Sequence, residues 1–396
     1  MSGALERTAF PGVRRDEHRF DGPGGTLVHG TVAQAIAGYL AGPSVANDHG
    51  AFPQSAQSDA VAEQAADAFR RLVRGPAGDV LFGHNMTQLT TTFVRAISGG
   101  LRSGDEIVCT ALDHEANVYP WRAAAAACGA AVRTAPVDAD GVLRTNAVTD
   151  LIGPRTRWVA ITAASNALGT VPDLAPVVAA AHAVGARVYV DGVQAIAHLP
   201  FDVSAVGCDA LVTSPYKWYG PHCGALWLAP GLAEEARLPE QVPSAGSQSP
   251  GRLSLGTTNF ESLVGLAAAA EVLLAADRTA VARREGALLA AAAEQLAAIP
   301  SVRLFGPPVA PPSGPATDVP RVPVLALRVR DRPAQQVAAA LAARGVSVWD
   351  GSFYASAAVA AVSPDEPDLV RVGIAAYTDE VDVEALVAGV RAIAAA

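Results

Sequence analysis

The chain has 396 residues, 51% of them hydrophobic, and a mean hydropathy of +0.26, which excludes global disorder and allows two or more compact units around a large core. A formal net charge of −9, an isoelectric point near 5.4 and the lack of any basic run disfavour nucleic acid and anionic membrane surfaces as partners. The opening MSGALERTAFPGVRRDEHRF lacks an apolar signal core, and no uninterrupted apolar run of about 18 residues follows, so the sequence reads as a cytoplasmic protein without a membrane partner.

In chain order, DVLFG (79–83) predicts a strand before the helical NMTQLTTTFVRAI, and DEIVCTAL (105–112) a strand before a helix through Pro120 to Ala127. RWVAITAA (157–164), ARVYVD (186–191) and DALVTS (209–214) predict further strands, and GALWLA (224–229) one that returns antiparallel. Short β-type runs alternating with Ala-rich helices imply an α/β architecture, a mostly parallel sheet covered on both faces, with functional groups at the strand C-termini. After about residue 260 the pattern changes to one long Ala/Leu helix over roughly 261–298, then the Pro-rich surface segment GPPVAPPSGP (306–315). VPVLALRV, PAQQVAAALAARG, VSVWDG and LVRVGIA then read as strand, helix, strand and strand before a terminal helix. The expected organisation is an N-terminal arm (1–29), a large domain (30–260), and a linking helix with a small α+β domain (261–396).

The four cysteines, Cys109, Cys128, Cys208 and Cys223, form no CxxC pair, and with no histidine cluster beside them they read as free thiols rather than metal ligands. The polar residues at the strand ends are more informative. Asn166 follows one strand, Asp191 ends the next with Gln194 three residues on, and Ser214 and Lys217 leave a third, so amide, carboxylate and amine share one edge of the sheet. Lys217 is the only lysine: the 29 basic residues are 28 arginines and this one. Arginine cannot act as an amine nucleophile, whereas a desolvated lysine attacks carbonyls. Each residue taken alone also fits a turn or a solvated loop.

Pyridoxal 5′-phosphate uses all three groups: lysine forms an imine with its aldehyde, and a carboxylate keeps its pyridine nitrogen protonated. Its phosphate needs backbone N–H donors at a helix N-terminus, which GHNMTQLT offers through Asn85, Met86 and Thr87, although an ordinary helix cap explains the same residues.

The stretches ALDHEANVYPW, SNALGT, VYVDGVQAIAHLPFDV, SPYKWYGPHCG, LSLGTTNF and LVRVGIAAYT together resemble the class V aminotransferase and cysteine desulfurase group of fold-type I pyridoxal-phosphate enzymes, from about residue 18 onward. The resemblance implies a mostly parallel seven-stranded sheet in a large domain beside a smaller α+β domain. It implies that His114 stacks on the pyridine ring, that Gln194 bonds the phenolic oxygen, and that Ser214 and Tyr216 reach the phosphate. Tyr216 departs from the histidine usual there. Thr257 would reach the phosphate of a partner subunit in a homodimer, and Arg371 would grip the substrate α-carboxylate, with Asn166 beside it. Desulfurases carry a nucleophilic cysteine on a loop of the small domain, but here that loop reads VSVWDGSFYASAAV, with Tyr354 at or near the position and Trp349 where an arginine is usual. No cysteine follows Cys223.

The expected function is therefore pyridoxal-phosphate chemistry on an α-amino acid, through an imine between substrate and cofactor: a desulfurase-like C–S lyase without the loop cysteine. An amino-acid epimerase, a class V aminotransferase and a catalytically silent binding protein are the alternatives. Cys223, six residues after the lysine, is a candidate relocated thiol. Borohydride reduction is expected to fix the cofactor on one peptide, the one containing Lys217, and to fix none on Lys217→Ala, as peptide mapping by mass spectrometry will show.

Overall fold

The computed structural model describes residues 5–235, 255–309 and 319–396. Seven strands make the main sheet: β1 (Asp79–Gly83), β2 (Glu106–Thr110), β3 (Ala131–Ala135), β4 (Thr156–Thr162), β5 (Arg187–Asp191), β6 (Ala210–Thr213) and β7 (Gly224–Leu228). Their spatial order is β1-β7-β6-β5-β4-β2-β3, and every pair is parallel except those of β7, which runs antiparallel to β6 and β1. The antiparallel return expected at 224–229 is thus present. The half-exposed edge strand β3 is an addition to the sequence reading.

The period of two along each strand divides the core. Val159, Ile161, Val188 and Val190 face one way, into a cluster with Phe69 and Leu266. These two residues belong to α2 (Pro53–Leu72) and α6 (Phe260–Ala275), and α6 packs on both α2 and α1 (Gly30–Leu40). Trp158, Ala160 and Tyr189 face the other way, toward Phe93 of α3 (Met86–Ile97) and Trp121 of α4 (Tyr119–Cys128). There Phe93 meets Trp158 edge-on at 5.4 Å and stacks on Tyr189 at 5.2 Å, while the Tyr189 hydroxyl bonds Thr90 at 2.9 Å. With both faces covered, the strands read as near-continuous apolar runs. Helix α5 (Ala175–Ala183) makes the crossover between the parallel strands β4 and β5.

The single helix expected over 261–298 is two. Ala276 is extended (ψ 145°), and Asp277 caps α7 (Arg278–Ala297) by accepting from the Ala280 amide at 2.9 Å. Helix α6 stays in the main core, whereas Leu288, Leu289 and Leu296 of α7 pack into a second core with Leu325, Val370 and Val372. That core belongs to a four-stranded antiparallel sheet of β8 (Val302–Phe305), β9 (Val324–Val329), β10 (Trp349–Gly351) and β11 (Leu369–Gly373), ordered β10-β11-β9-β8. Helices α8 (Ala334–Ala342), α9 (Ser356–Val362) and α10 (Glu380–Ala395) complete this part. VSVWDG is not one strand: Val346–Ser347 pairs in parallel with His18–Arg19, and only Trp349–Gly351 joins the four-stranded sheet. The Pro-rich 306–315 segment lies partly outside the described residues.

Parallel register fixes what meets at the sheet edge. Thr162 pairs with Asp191 and Asp191 with Val212, so β4, β5 and β6 end in one row. Beside that row, Gly224 lets β7 run against the cap of α3: an added Cβ would lie 2.6 Å from the Asn85 carbonyl carbon and 2.7 Å from its oxygen. Gly224→Ala is expected to cost about 1–3 kcal/mol of stability in denaturant titration. Gly99→Ala, where nothing lies within 4 Å, is the control expected to cost less.

Candidate active site

The row of strand ends forms the floor of a cleft enclosing about 450 Å³, counting its open mouth. Asp191, the last residue of β5, is 3% exposed and accepts from the Val193 amide at 2.9 Å. On one side, Ser214 follows β6 and its hydroxyl accepts from the Met86 amide at 2.8 Å, tying the start of α3 to the row. Asn85 caps α3 by accepting from the Gln88 amide at 2.9 Å, so it stands behind the cleft while Met86 and Thr87 line it. The positive dipole end of a helix thus faces the space beside Ser214, a setting suited to an anion.

Pro215–Lys217 forms a 3-10 turn that swings Lys217 back over the row, where its ammonium donates to the Pro23 carbonyl. Tyr216 lines the cleft too, its ring stacked on His222 at 4.8 Å and 14°. The loop through Pro23 is pinned by the Thr26 amide, which donates to the Tyr216 carbonyl at 2.9 Å. His114 Nδ1 accepts from the Ala116 amide at 3.0 Å, which leaves Nε2 to carry the proton of the neutral ring.

Burial sets the charges. It lowers Lys217 to about 7, with the Arg371 cation pushing the same way and the Asp191 carboxylate opposing. It raises Asp191 to about 6 against the Val193 hydrogen bond and the Lys217 charge, and it lowers His114 to about 4, helped by Lys217. Amine, carboxyl and imidazole are therefore all poised to exchange protons or stay neutral near physiological pH.

Arg371, on β11 and 5% exposed, lies behind this floor: its Nη1 donates to the Asn166 carbonyl at 3.0 Å and its guanidinium covers the Phe353 ring at 4.6 Å. Burial lowers it to about 9. Asn166 lines the cleft and donates through Nδ2 to the Phe353 carbonyl at 2.8 Å. Phe353 and Tyr354 both hold left-handed backbone (φ 59° and 55°), and the Tyr354 carbonyl accepts from the Glu115 amide at 2.7 Å. The Tyr354 ring is 70% exposed and leans on His114 at 5.5 Å, rather than on Trp349 or Phe353. Trp349 instead covers Gly24, where an added Cβ would collide with its indole.

Of the residues singled out from sequence, Thr257 stands apart: it is exposed, ahead of α6, and does not line the cleft. Cys223 is not within the cleft either. It is buried in the main core, its thiol directed at the Ser262 carbonyl and pushed up to about 12. Cys208 is pushed up to about 12 and Cys109 higher still, both by burial. No cysteine lines the cleft among the described residues.

Sequence reasoning missed four contributors: Asp113, Glu115, His198 and Glu285. Asp113 is fully buried next to His114, accepts from Thr110 and from Asn117 Nδ2 (2.8 Å), and is raised to about 8 by burial. Its neighbour in the sequence was the visible signal. Far from the cleft floor, Asp48, His49 and Asp59 gather at the surface, already bonded to one another.

A pyridoxal phosphate fits these residues on two observations: Arg371 Nε is buried without a partner among the described residues, and the amine, carboxyl and helix N-terminus surround one cleft. The family model described as Aminotransferase class-V matches residues 18–386. A cysteine desulfurase of Klebsiella pneumoniae subsp. pneumoniae is 33% identical over 352 residues, covering 86% of this chain and 83% of its own. One of Escherichia coli O127:H6 is 33% identical over 308 residues, 75% and 73% of the two chains. Among solved structures, an Escherichia coli cysteine desulfurase superposes with a TM-score of 0.85 at 26% identity over 97% of this chain and 96% of its own. The cysteine desulfurase of Thermococcus onnurineus NA1 shares the fold, with a TM-score of 0.88 at 21% identity over 98% and 97%.

The sole lysine makes the electrostatics measurable. In cofactor-free protein, the rate of Lys217 acylation by an anhydride, followed by peptide mass, is expected to rise with pH about a midpoint near 7 instead of 10.5. Arg371→Leu removes a repelling cation and moves the midpoint up; Asp191→Asn removes an attracting anion and moves it down.

Proposed function

This chain belongs to the aminotransferase class-V family and is a cysteine desulfurase-like enzyme of that pyridoxal-phosphate-dependent group, and from that premise we propose that it binds pyridoxal phosphate at Lys217 and cleaves the C–S bond of a cysteine-type amino acid without a cysteine nucleophile. The observation that carries the reading is the only lysine, buried in the cleft with Asp191 and lowered to about 7. The relatives do not favour the epimerase, aminotransferase or silent-protein alternatives.

When bound, pyridoxal phosphate supplies an aldehyde that links to amines and a ring that stores the electron pair released at Cα. Lys217 Nζ, neutral for much of the time near pH 7, would hold the cofactor through that link and, when free, would serve as the base for the substrate Cα proton. Asp191 holds the proton of the ring nitrogen. His114, kept neutral by burial, offers a flat face to the ring without adding a charge. Ser214, Met86, Thr87 and the α3 N-terminus hold the phosphate, with Asn85 fixing the helix start and Tyr216 closing the side. Arg371 and Asn166 receive the α-carboxylate, and the unpartnered Arg371 Nε supports that assignment. Thr257 completes the partner's phosphate site in a homodimer, an assignment its exposure supports.

The loop that would bear a thiol bears Tyr354, and its carbonyls are held by Asn166 and Glu115. A phenol does not take up sulfur as a thiolate does, so the sulfur leaves with its electron pair: L-cysteine and water give pyruvate, ammonia and sulfide. Incubation with L-cysteine and S-alkylcysteines is expected to yield pyruvate and the thiol or sulfide in equal amounts. Alanine formed together with a persulfide on the protein would sink the reading.

A further inference from the structure

Behind the cleft lies a buried pair that the reading above does not use. His198 ends the short helix Ala195–His198, and its Nδ1 lies 2.8 Å from Glu285 Oε2 of α7. Glu285 is 2% exposed and His198 6%. A carboxylate so far from water needs a compensating positive group. Arg278, which feels the field of Glu285, spends its Nη2 on the Ile196 and Leu199 carbonyls. That leaves His198 as the direct partner of Glu285 through Oε2, while Oε1 is buried without a partner among the described residues.

His198 Nε2 in turn faces Gln194 Nε2 at 3.4 Å, nitrogen against nitrogen, while Gln194 Oε1 is buried with no partner among the described residues. A neutral imidazole accepts from the amide there through Nε2, but that arrangement leaves the buried Oε1 unmet. A half-turn of the Gln194 amide brings Oε1 to His198 Nε2 and turns the NH2 donor toward the cleft that Gln194 lines. With Glu285 ionised, this arrangement places a proton on each ring nitrogen of His198 and makes the contact an ion pair.

We propose that Glu285 and His198 form a buried ion pair whose Nε2–H orients the Gln194 amide as a hydrogen-bond donor to the phenolic oxygen of bound pyridoxal phosphate. The inference rests on the cofactor reading given above. Glu285 and His198 are positioning residues: they touch neither cofactor nor substrate and act through Gln194. A donor at the phenolic oxygen stabilises its ionised form, which absorbs visible light, over the neutral phenol, which absorbs in the near ultraviolet. In Glu285→Gln nothing holds a second proton on the ring: with Nδ1–H donating to the new amide oxygen, Nε2 is an acceptor that takes the Gln194 NH2, and the Gln194 oxygen is left toward the cleft.

The test is the absorption spectrum, at one pH, of the holoenzyme and of Glu285→Gln, Glu285→Asp, His198→Asn, Gln194→Ala and the Gln194→Ala/His198→Asn double variant, each loaded with pyridoxal phosphate. The expected result is a visible band in the parent protein that shifts toward the near ultraviolet in Glu285→Gln and His198→Asn and returns in Glu285→Asp. In the Gln194→Ala background the His198 change adds nothing further. An unshifted band in Glu285→Gln, or a His198 effect equally large with and without Gln194, overturns the inference. If His198→Asn does not fold, the isosteric Glu285→Gln and its Asp rescue decide alone. A parent protein that takes up no chromophore at Lys217 overturns instead the reading of the cleft on which the inference stands.

Discussion

Everything at the site depends on the parallel register of three strands. Because Thr162 pairs with Asp191 and Asp191 with Val212, the carboxyl ends of β4, β5 and β6 finish level, and the residues just beyond them have no choice but to converge. A slip of two residues between β5 and β6 would carry Ser214 and the Lys217 turn about 7 Å along the sheet. The aromatic packing of Phe93, Trp158 and Tyr189 on one face and the branched aliphatics on the other resist such a slip. A one-residue slip would also exchange Tyr189 with its aliphatic neighbours across the sheet.

The converged groups stay functional because their burial is uneven in kind. A buried amine and a buried carboxyl are each driven toward neutrality, and each partly restores the charge of the other. Arg371 adds a fixed positive charge from the small sheet, so contact between the two parts of the molecule enters the proton balance at Lys217. The same arginine supports Phe353 from below while Asn166 holds its carbonyl from the side. Charge balance and loop position are thus set by one set of contacts.

Much of this was legible in the sequence, for stated reasons. Strands β4 to β7 are continuous apolar runs bounded by turn residues, and the lone lysine among arginines marks itself. What escaped was what no local pattern encodes. Strand β3 lies at the sheet edge with Arg133 and Thr134 exposed, so it lacks the apolar run of its neighbours. The break at Ala276 and Asp277 is hidden by helix formers on both sides and declared only by the cap. His198 and Glu285 are 87 residues apart, and a pairing over that distance exists only once α7 folds across the main core. The four-residue reach from Gln194 to His198 was on the page, but its meaning was not.

The Phe353–Tyr354 turn carries a mechanical consequence. Two bulky residues in succession hold left-handed backbone, each at a cost of about 1–2 kcal/mol. The cost is offset by Arg371 over the Phe353 ring on the near side and by contacts across the cleft: Asn166 and Glu115 on the two carbonyls, and the His114 ring beside Tyr354. The turn is in effect a cocked latch. Its catches, the Asn166 and Glu115 hydrogen bonds, hold dihedrals that neither residue favours on its own. The strain of the turn is therefore held by groups on both sides of the cleft, so the position of Tyr354 depends on the two parts of the molecule together.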